Sequence, residues 1–344
     1  MKGALTLTTE VANKSILDCL LNTRSPFVFV NGSSTSTVYS GNGTDKELKS
    51  LSKNDVNFMY YNNVFTLSDL HVVKYVAENI FCTVPMLKRS IKHYHETTED
   101  SQKVILSVNT EHLKERLDTG LCRAQILVKT LFASHRKASA GDNNRKEYMS
   151  YYTCTPHGYN FIKRLIGYDR PYDEYSSILA LDQVFKYLSV ITVCQTFYDI
   201  PGFKNYKINN QEYTVNIKTG RKYYSPYGVV NLEAENNRTK VIIEPFFRSY
   251  NKSRISGNAY IAEVKERFAN IGDYLQKNFD MTHLIFSCED ISAIKAAVDL
   301  TKEYLPGCTN KVYFTIDKEA NKNGIENACL YWNGKKTVPI ELHF

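Results

Sequence analysis

The sequence predicts an α+β fold in two parts: short helices closed by a two-stranded hairpin, then an α/β part with a mixed central sheet. Three observations predict it. Apolar residues recur at spacings of three and four in successive runs within 66–120, the first two opened by capping threonines. Two strand-like runs, 125–132 and 147–154, follow at once and are separated only by a polar loop. Beyond residue 171 the order becomes β-β-α-β-α-β, which calls for a mixed or parallel sheet with helices packed on it.

A chain of 344 residues is too long for one hydrophobic core, and about 150 residues per domain predicts two. The division read from the pattern is an extension of open role at 1–60, a helical domain at 61–170 and an α/β domain at 171–344. With 43% hydrophobic and 23% charged residues, and 25 Tyr and 17 Phe, the chain is expected to fold rather than stay disordered. No apolar run has signal-peptide length, and none approaches the roughly 20 residues of a membrane span, so a soluble cytoplasmic protein without a membrane partner is expected. The eight cysteines form no C-x-x-C pair and several sit in apolar runs such as 191–194 and 284–288, which predicts buried thiols in a reducing compartment rather than disulfides or zinc. Of the net charge of +7, most lies in 61–170, which holds 16 Lys+Arg against 11 Asp+Glu. A polyanionic partner is therefore expected there.

The extension holds one short strand at 27–30. A first helix follows from Thr66, whose spacing to Asp69 is that of a capping box, with Leu70, Val73, Val76 and Ile80 on one face. Thr83 caps a second, with Pro85 in its first turn and Leu87 and Ile91 inside. A third starts after Asn109, buries Leu113 and Leu117, and meets Gly120 where a left-handed C-terminal cap belongs. The strands 125–132 and 147–154 make a hairpin with a long polar tip, and Thr155 with Pro156 opens another helix.

Helix, helix, helix, two-stranded wing, helix is the order of a winged helix-turn-helix domain, and the stretch Tyr151-Tyr-Thr-Cys-Thr-Pro-His-Gly-Tyr159 resembles the Y-x-L-T-x-x-G ending common in that superfamily, with Cys154 at the Leu position. The resemblance implies that the third helix enters the major groove of double-stranded DNA with Asn109, His112, Lys114 and Arg116. It also implies that the wing meets the backbone through His135, Arg136, Lys137, Arg145 and Lys146. Four of those wing cations face the single acid Asp142, as a phosphate-following loop requires.

In the second half a long apolar helix lies within 172–197, strands are expected at 213–217, 228–233 and 240–247, and a helix at 258–278 carries Ile261, Val264, Phe268, Ile271 and Leu275. Strand 283–287, helix 291–304 and strand 312–316 follow, and Asn333-Gly334 marks a closing hairpin. This half resembles the PD-(D/E)xK nuclease fold. Together with the winged helix it is similar to the replication-relaxation family of mobile-element proteins and to MobC-type plasmid relaxases. In that pattern acids on two adjacent strands converge on a divalent metal that activates water. Here Glu244 survives, Tyr227 stands in place of the metal-binding Asp and Phe246 in place of the second acid or Lys.

The expectation is therefore a DNA-binding accessory or initiator protein of a plasmid, integrative element or phage, acting in replication or mobilisation, with a vestigial Glu244, no cofactor and no nuclease activity. A relaxase or replication protein of the same element would be its protein partner. One alternative is a nicking relaxase that uses Mg²⁺, with Glu233, Glu235, Glu263 or Lys265 migrated into the site, or with Tyr227 as nucleophile. The other is a protein-docking scaffold.

Overall fold

The computed structural model describes residues 27–29, 54, 58, 60–62, 65–98, 110–134, 149–169, 181–209, 224–234, 237–248, 257–277 and 282–342. The chain divides into two compact units, one running Pro26–Val184 and one built on Phe185–Phe344. No helix among the described residues is long and apolar enough to cross a membrane.

In the first unit, α1 (Leu67–Asn79) starts at the expected capping box: the Thr66 side chain accepts from Asp69 N while Thr66 N donates to Asp69 Oδ2 at 2.8 Å. Helix α2 (Val84–Thr97) is capped by Thr83 with Pro85 in its first turn. Between them Cys82 makes a one-residue antiparallel bridge to Tyr152. Helix α3 begins as Leu113–Glu115 and continues as a π-helix, Arg116–Cys122. Gly120 thus sits inside the helix, not at its left-handed end, and the positive φ falls on Gln125 (60°). The reason is burial. Leu117, Leu121 and Cys122 are all within 2% exposure, and the wider π turn keeps all three facing the core, where a helix stopping at Gly120 would release two of them.

Strands β1 (Phe27–Phe29), β2 (Leu127–Ser134) and β3 (Met149–Cys154) form an antiparallel sheet in the order β1-β2-β3, so the short N-terminal strand extends the hairpin. Helix α4 (Pro156–Ile166) is capped by Thr155 and ends at Gly167, whose φ is 67°. Phe65, Leu70, Val73, Leu87, Leu113, Ile126, Tyr152 and Phe161 share one core.

Helix α5 (Leu181–Gln195) lies within the expected apolar run and leads, through a short 3₁₀ turn, into β4 (Phe203–Ile208), a strand the sequence did not announce. The strand expected at 213–217 lies outside the described residues. β4, β5 (Gly228–Ala234) and β6 (Asn237–Phe246) form an antiparallel meander. Helix α6 (Gly257–Lys277) then crosses to β7 (Thr282–Cys288), and α7 (Ile291–Tyr304) to β8 (Val312–Ile316), both strands parallel to β6. After α8 (Asp317–Asn323) and α9 (Ile325–Ala328), β9 (Cys329–Trp332) and β10 (Thr337–Ile340) close the chain as the expected hairpin, with Gly334 at φ 91°. The sheet is mixed and seven-stranded, in the order β10-β9-β8-β7-β6-β5-β4, and the fold is α+β. Two successive crossovers in one direction put α6 and α7 on one face, as right-handed connections demand. There Ile242, Phe246, Leu284, Phe286, Val312 and Phe314 pack against Phe268, Ile271, Leu275, Ile294 and Ala297.

Candidate functional site

Residues of β6 alternate between the two faces of the sheet, and Glu244 falls between Ile242 and Phe246 on the face that carries α6. At 1% exposure it is a carboxylate inside the core. Such a charge persists only when it is fully matched, and Arg267 of α6 matches it: Nε donates to Oε2 at 2.7 Å and Nη2 to Oε1 at 2.9 Å. Oε1 also accepts from the Tyr224 hydroxyl (2.8 Å) and the Tyr227 amide (3.3 Å), while Arg267 Nη2 reaches the Ser225 carbonyl at 3.1 Å. The guanidinium is flanked by two rings, its Cζ lying 4.8 Å from the Tyr227 centroid and 5.3 Å from that of Tyr224.

The lone pairs of Glu244, expected to be a vestigial acid, are engaged by Arg267, Tyr224 and backbone. Burial pushes the Tyr227 phenol well above its ordinary pKa despite the nearby Arg267 charge, and its ring packs against Tyr187, 5.0 Å between centroids. The same ring also lies beside the Arg267 guanidinium. Burial opposes the Arg267 charge, but Glu244 outweighs it and holds the guanidinium protonated. Glu233 lies on β5 paired with Lys204 and Arg238, Glu263 lines a pocket beside the Glu244–Arg267 pair, Lys265 is not among the residues lining that pocket, and Glu235 is outside the described residues. Among the described residues no group of three or more His, Cys, Asp and Glu side chains is placed to hold a metal ion. Arg267 escaped the sequence reading. Its signal was that a buried strand carboxylate needs a cation, and that α6 is the next element in the chain.

Farther along the carboxyl ends of the parallel strands, Arg248 bridges Glu289, Asp290 and Ser292. Burial raises the Glu289 carboxyl pKa against the pull of Arg248. Burial likewise raises that of Asp317 despite bonds from the Lys318 amide and Ser189. Asp290 is also penalised by burial, but Ser292, Ala293 N and Arg248 more than reverse this and hold its pKa below the ordinary value. The folded chain therefore binds more protons than the unfolded one above about pH 4 through Glu289 and Asp317, and stability falls as pH rises towards their folded values. Asp290 acts below about pH 4, where its stabilisation is lost on acidification. Urea midpoints measured between pH 4 and neutrality should thus show the double variant Glu289→Gln, Asp317→Asn gaining on the wild type as pH rises. Parallel curves would contradict the assignment.

In the first unit α3 is tied down along its inner side. Arg116 donates through Nε and Nη2 to both oxygens of Asp69, and Asp118 takes Lys129 and the Tyr152 hydroxyl, the latter at 2.8 Å. Arg116 thus clamps the α1 cap through Asp69 while its side chain keeps 39% of its surface exposed. His112 and Lys114 are exposed, with His112 Nδ1 3.4 Å from Glu115. Asn109, His135, Arg136, Lys137, Arg145 and Lys146 lie outside the described residues. The sequence reading passed over Lys88 and Lys92, exposed on α2 beside the buried Leu87 and Ile91, and Arg123, exposed just after α3. The helical periodicity already assigned those positions to the solvent side.

Neither a protein-family model, nor a curated protein, nor a solved structure matches the chain.

Proposed function

We propose that this chain is a DNA-binding protein whose first unit is a winged helix-turn-helix that reads a duplex, and whose second unit is a nuclease-like fold in which metal chemistry has been replaced by an internal ion pair. The observation that carries the reading is the clamped α3. Asp69–Arg116 on one side and Asp118–Lys129–Tyr152 on the other fix this helix against α1 and the hairpin, and His112 and Lys114 stand outward from it. A helix held rigidly with its polar side outward suits insertion into a groove. The bridge Cys82–Tyr152 between α1 and the hairpin supports the same reading, as does the basic solvent side of α2. For the second unit, the resemblance read from the sequence is supported by a mixed sheet with two parallel crossovers, with Glu244 on β6 and Tyr227 immediately before β5. Following the resemblance, the setting is that of an accessory or initiator of a mobile element, with a relaxase or replication protein as partner.

Replacing Arg136, Lys137, Arg145 and Lys146 together by Ala is expected to weaken duplex binding at least tenfold and to reduce the slope of log K against log salt by up to about 3.6, at about 0.9 per lost phosphate contact. Electrophoretic shifts over a salt series measure both, and unchanged binding would sink the reading. Supercoiled plasmid incubated with Mg²⁺ or Mn²⁺ is expected to stay intact; nicking that vanishes in Glu244→Ala would restore the relaxase alternative.

A further inference from the structure

The face of the seven-stranded sheet opposite α6 and α7 carries α5 over β5 to β7, where Ser189 bonds Ser287 at 2.7 Å and a Cβ on Gly228 would stand 2.6 Å from Val190. Towards the closing hairpin the same face is aromatic. Strand register sets Ile285, Tyr313, Tyr331 and Val338 in one row across β7, β8, β9 and β10, with His283 two residues back along β7. The rings of His283 and Tyr313 stack, 5.8 Å between centroids and 19° between planes, and Tyr331 lies 6.3 Å from Tyr313. Tyr313 is buried, with a ring on either side, whereas His283, Tyr331 and Val338 keep part of their surface exposed. Burial and the Lys311 charge lower the His283 pKa, so this ring is neutral at pH 7.

The turn beside the row is basic. Asn333 fixes it by accepting from the Lys335 and Lys336 amides, both at 3.0 Å. Strand alternation sets Lys336 on the side of Val338 and Tyr331, roughly 7 Å along the strand direction from Val338. Both lysines are exposed, and among the described residues neither joins an ion pair. Asp299 and Glu303 of α7 belong to the other face, engaged with Lys302 and Tyr304, and Glu341 follows β10 at the end of the hairpin away from the turn. Lys311 is engaged within the chain and adds no donor.

We infer that this strip of the sheet stacks the bases of a single nucleic-acid strand, with Tyr331 as the exposed ring, His283 and Tyr313 extending the row, and Lys335 and Lys336 meeting the adjoining phosphates. Every base has a π-face, so rings side by side on a sheet take unpaired bases with little regard to sequence, whereas a duplex keeps those faces inside its own stack. Two lysines without acid partners beside the rings favour a polyanionic strand over a neutral apolar partner. The inference rests on the reading of the chain as a nucleic-acid binder and gives the second unit a contact of its own, to a single strand rather than a duplex.

The test uses the full chain and a short oligothymidylate, alone and paired with its complement, followed by fluorescence anisotropy over a salt series. Tyr331→Ala should weaken strand binding about tenfold, the order of one stacked base, and Tyr331→Phe should retain most of it, while duplex binding changes in neither. The double variant Lys335→Gln, Lys336→Gln should lower the single-strand salt slope by about 1.4, at about 0.7 per phosphate contact. It lies on an exposed turn and decides the matter if Tyr331→Ala does not fold. Folded variants that bind the strand like the wild type overturn the platform while leaving the duplex reading intact. If instead the four wing substitutions leave duplex binding unchanged and Tyr331→Ala still weakens strand binding, the platform stands and the winged-helix reading falls. A duplex loss as large as the strand loss overturns the assignment to unpaired bases, and polyglutamate competing as well as the strand overturns the assignment to nucleic acid.

Discussion

Arg267→Ala is expected to destabilise the second unit by about 3 kcal/mol, at the lower end of the 3–5 kcal/mol that follows when one partner of a buried pair is removed. The lower end applies because the Arg267 side chain keeps 34% of its surface exposed, whereas that of Glu244 keeps 1%. The loss arises less from the attraction forgone than from the carboxylate left behind, since Tyr224 and the Tyr227 amide cannot supply a countercharge. For a unit of this size that corresponds to a fall of roughly 6–12 °C in melting temperature, readable by calorimetry. The double variant Glu244→Gln, Arg267→Met should recover much of the deficit, because two neutral groups need no desolvated charge, and the cycle gives the coupling directly. An Arg267→Ala chain that melts with the wild type would show that the pair does not hold β6 to α6.

Which parts of this molecule could be read from its sequence follows from the range of the interactions involved. α1 and α4 start at Thr66 and Thr155 because each capping group and its target lie within three residues. The register of α6 was legible because Val264, Phe268, Ile271 and Leu275 repeat at helical spacing. β4 was not, because Lys204, Asn205 and Lys207 give it the polar look of a loop, and its pairing with β5 is supplied from 20 to 29 residues away. The π-helical stretch of α3 was hidden for a related reason: Gly120 is a strong local stop signal, and only the shared burial of Leu117, Leu121 and Cys122 overrides it. The candidate site suffered most. Arg116 and Glu244 have partners 47 and 23 residues distant, and no periodicity reveals that Arg116 also serves Asp69, or that an acid read as vestigial serves Arg267.

Gly158→Ala sets two magnitudes of opposite sign against each other. Gly158 lies in the first turn of α4, where helix propensity alone would favour Ala by up to about 1 kcal/mol. A Cβ built there, however, would stand 2.3 Å from the Ile126 carbonyl oxygen and 2.6 Å from Cys154 Sγ. The carbonyl has no freedom to retreat. It accepts from both the amide and the hydroxyl of Thr155, at 3.1 and 3.0 Å, and it stands at the foot of the β2–β3 ladder where Leu127 pairs with Cys154. Overpacking ordinarily costs about 1–3 kcal/mol when side chains can shift; against pinned backbone the expected loss is at or above the top of that range, and the net change is about 2–3 kcal/mol destabilising. Gly307→Ala, which meets nothing within 4 Å, is the control and should change stability little. Because α4 closes the core that also holds α3, the first unit should melt earlier and duplex binding should weaken in proportion as temperature rises, while the second unit melts unchanged. A Gly158→Ala chain more stable than the wild type would mean that propensity outweighs the close approach, and that α4 is free to move away from the hairpin.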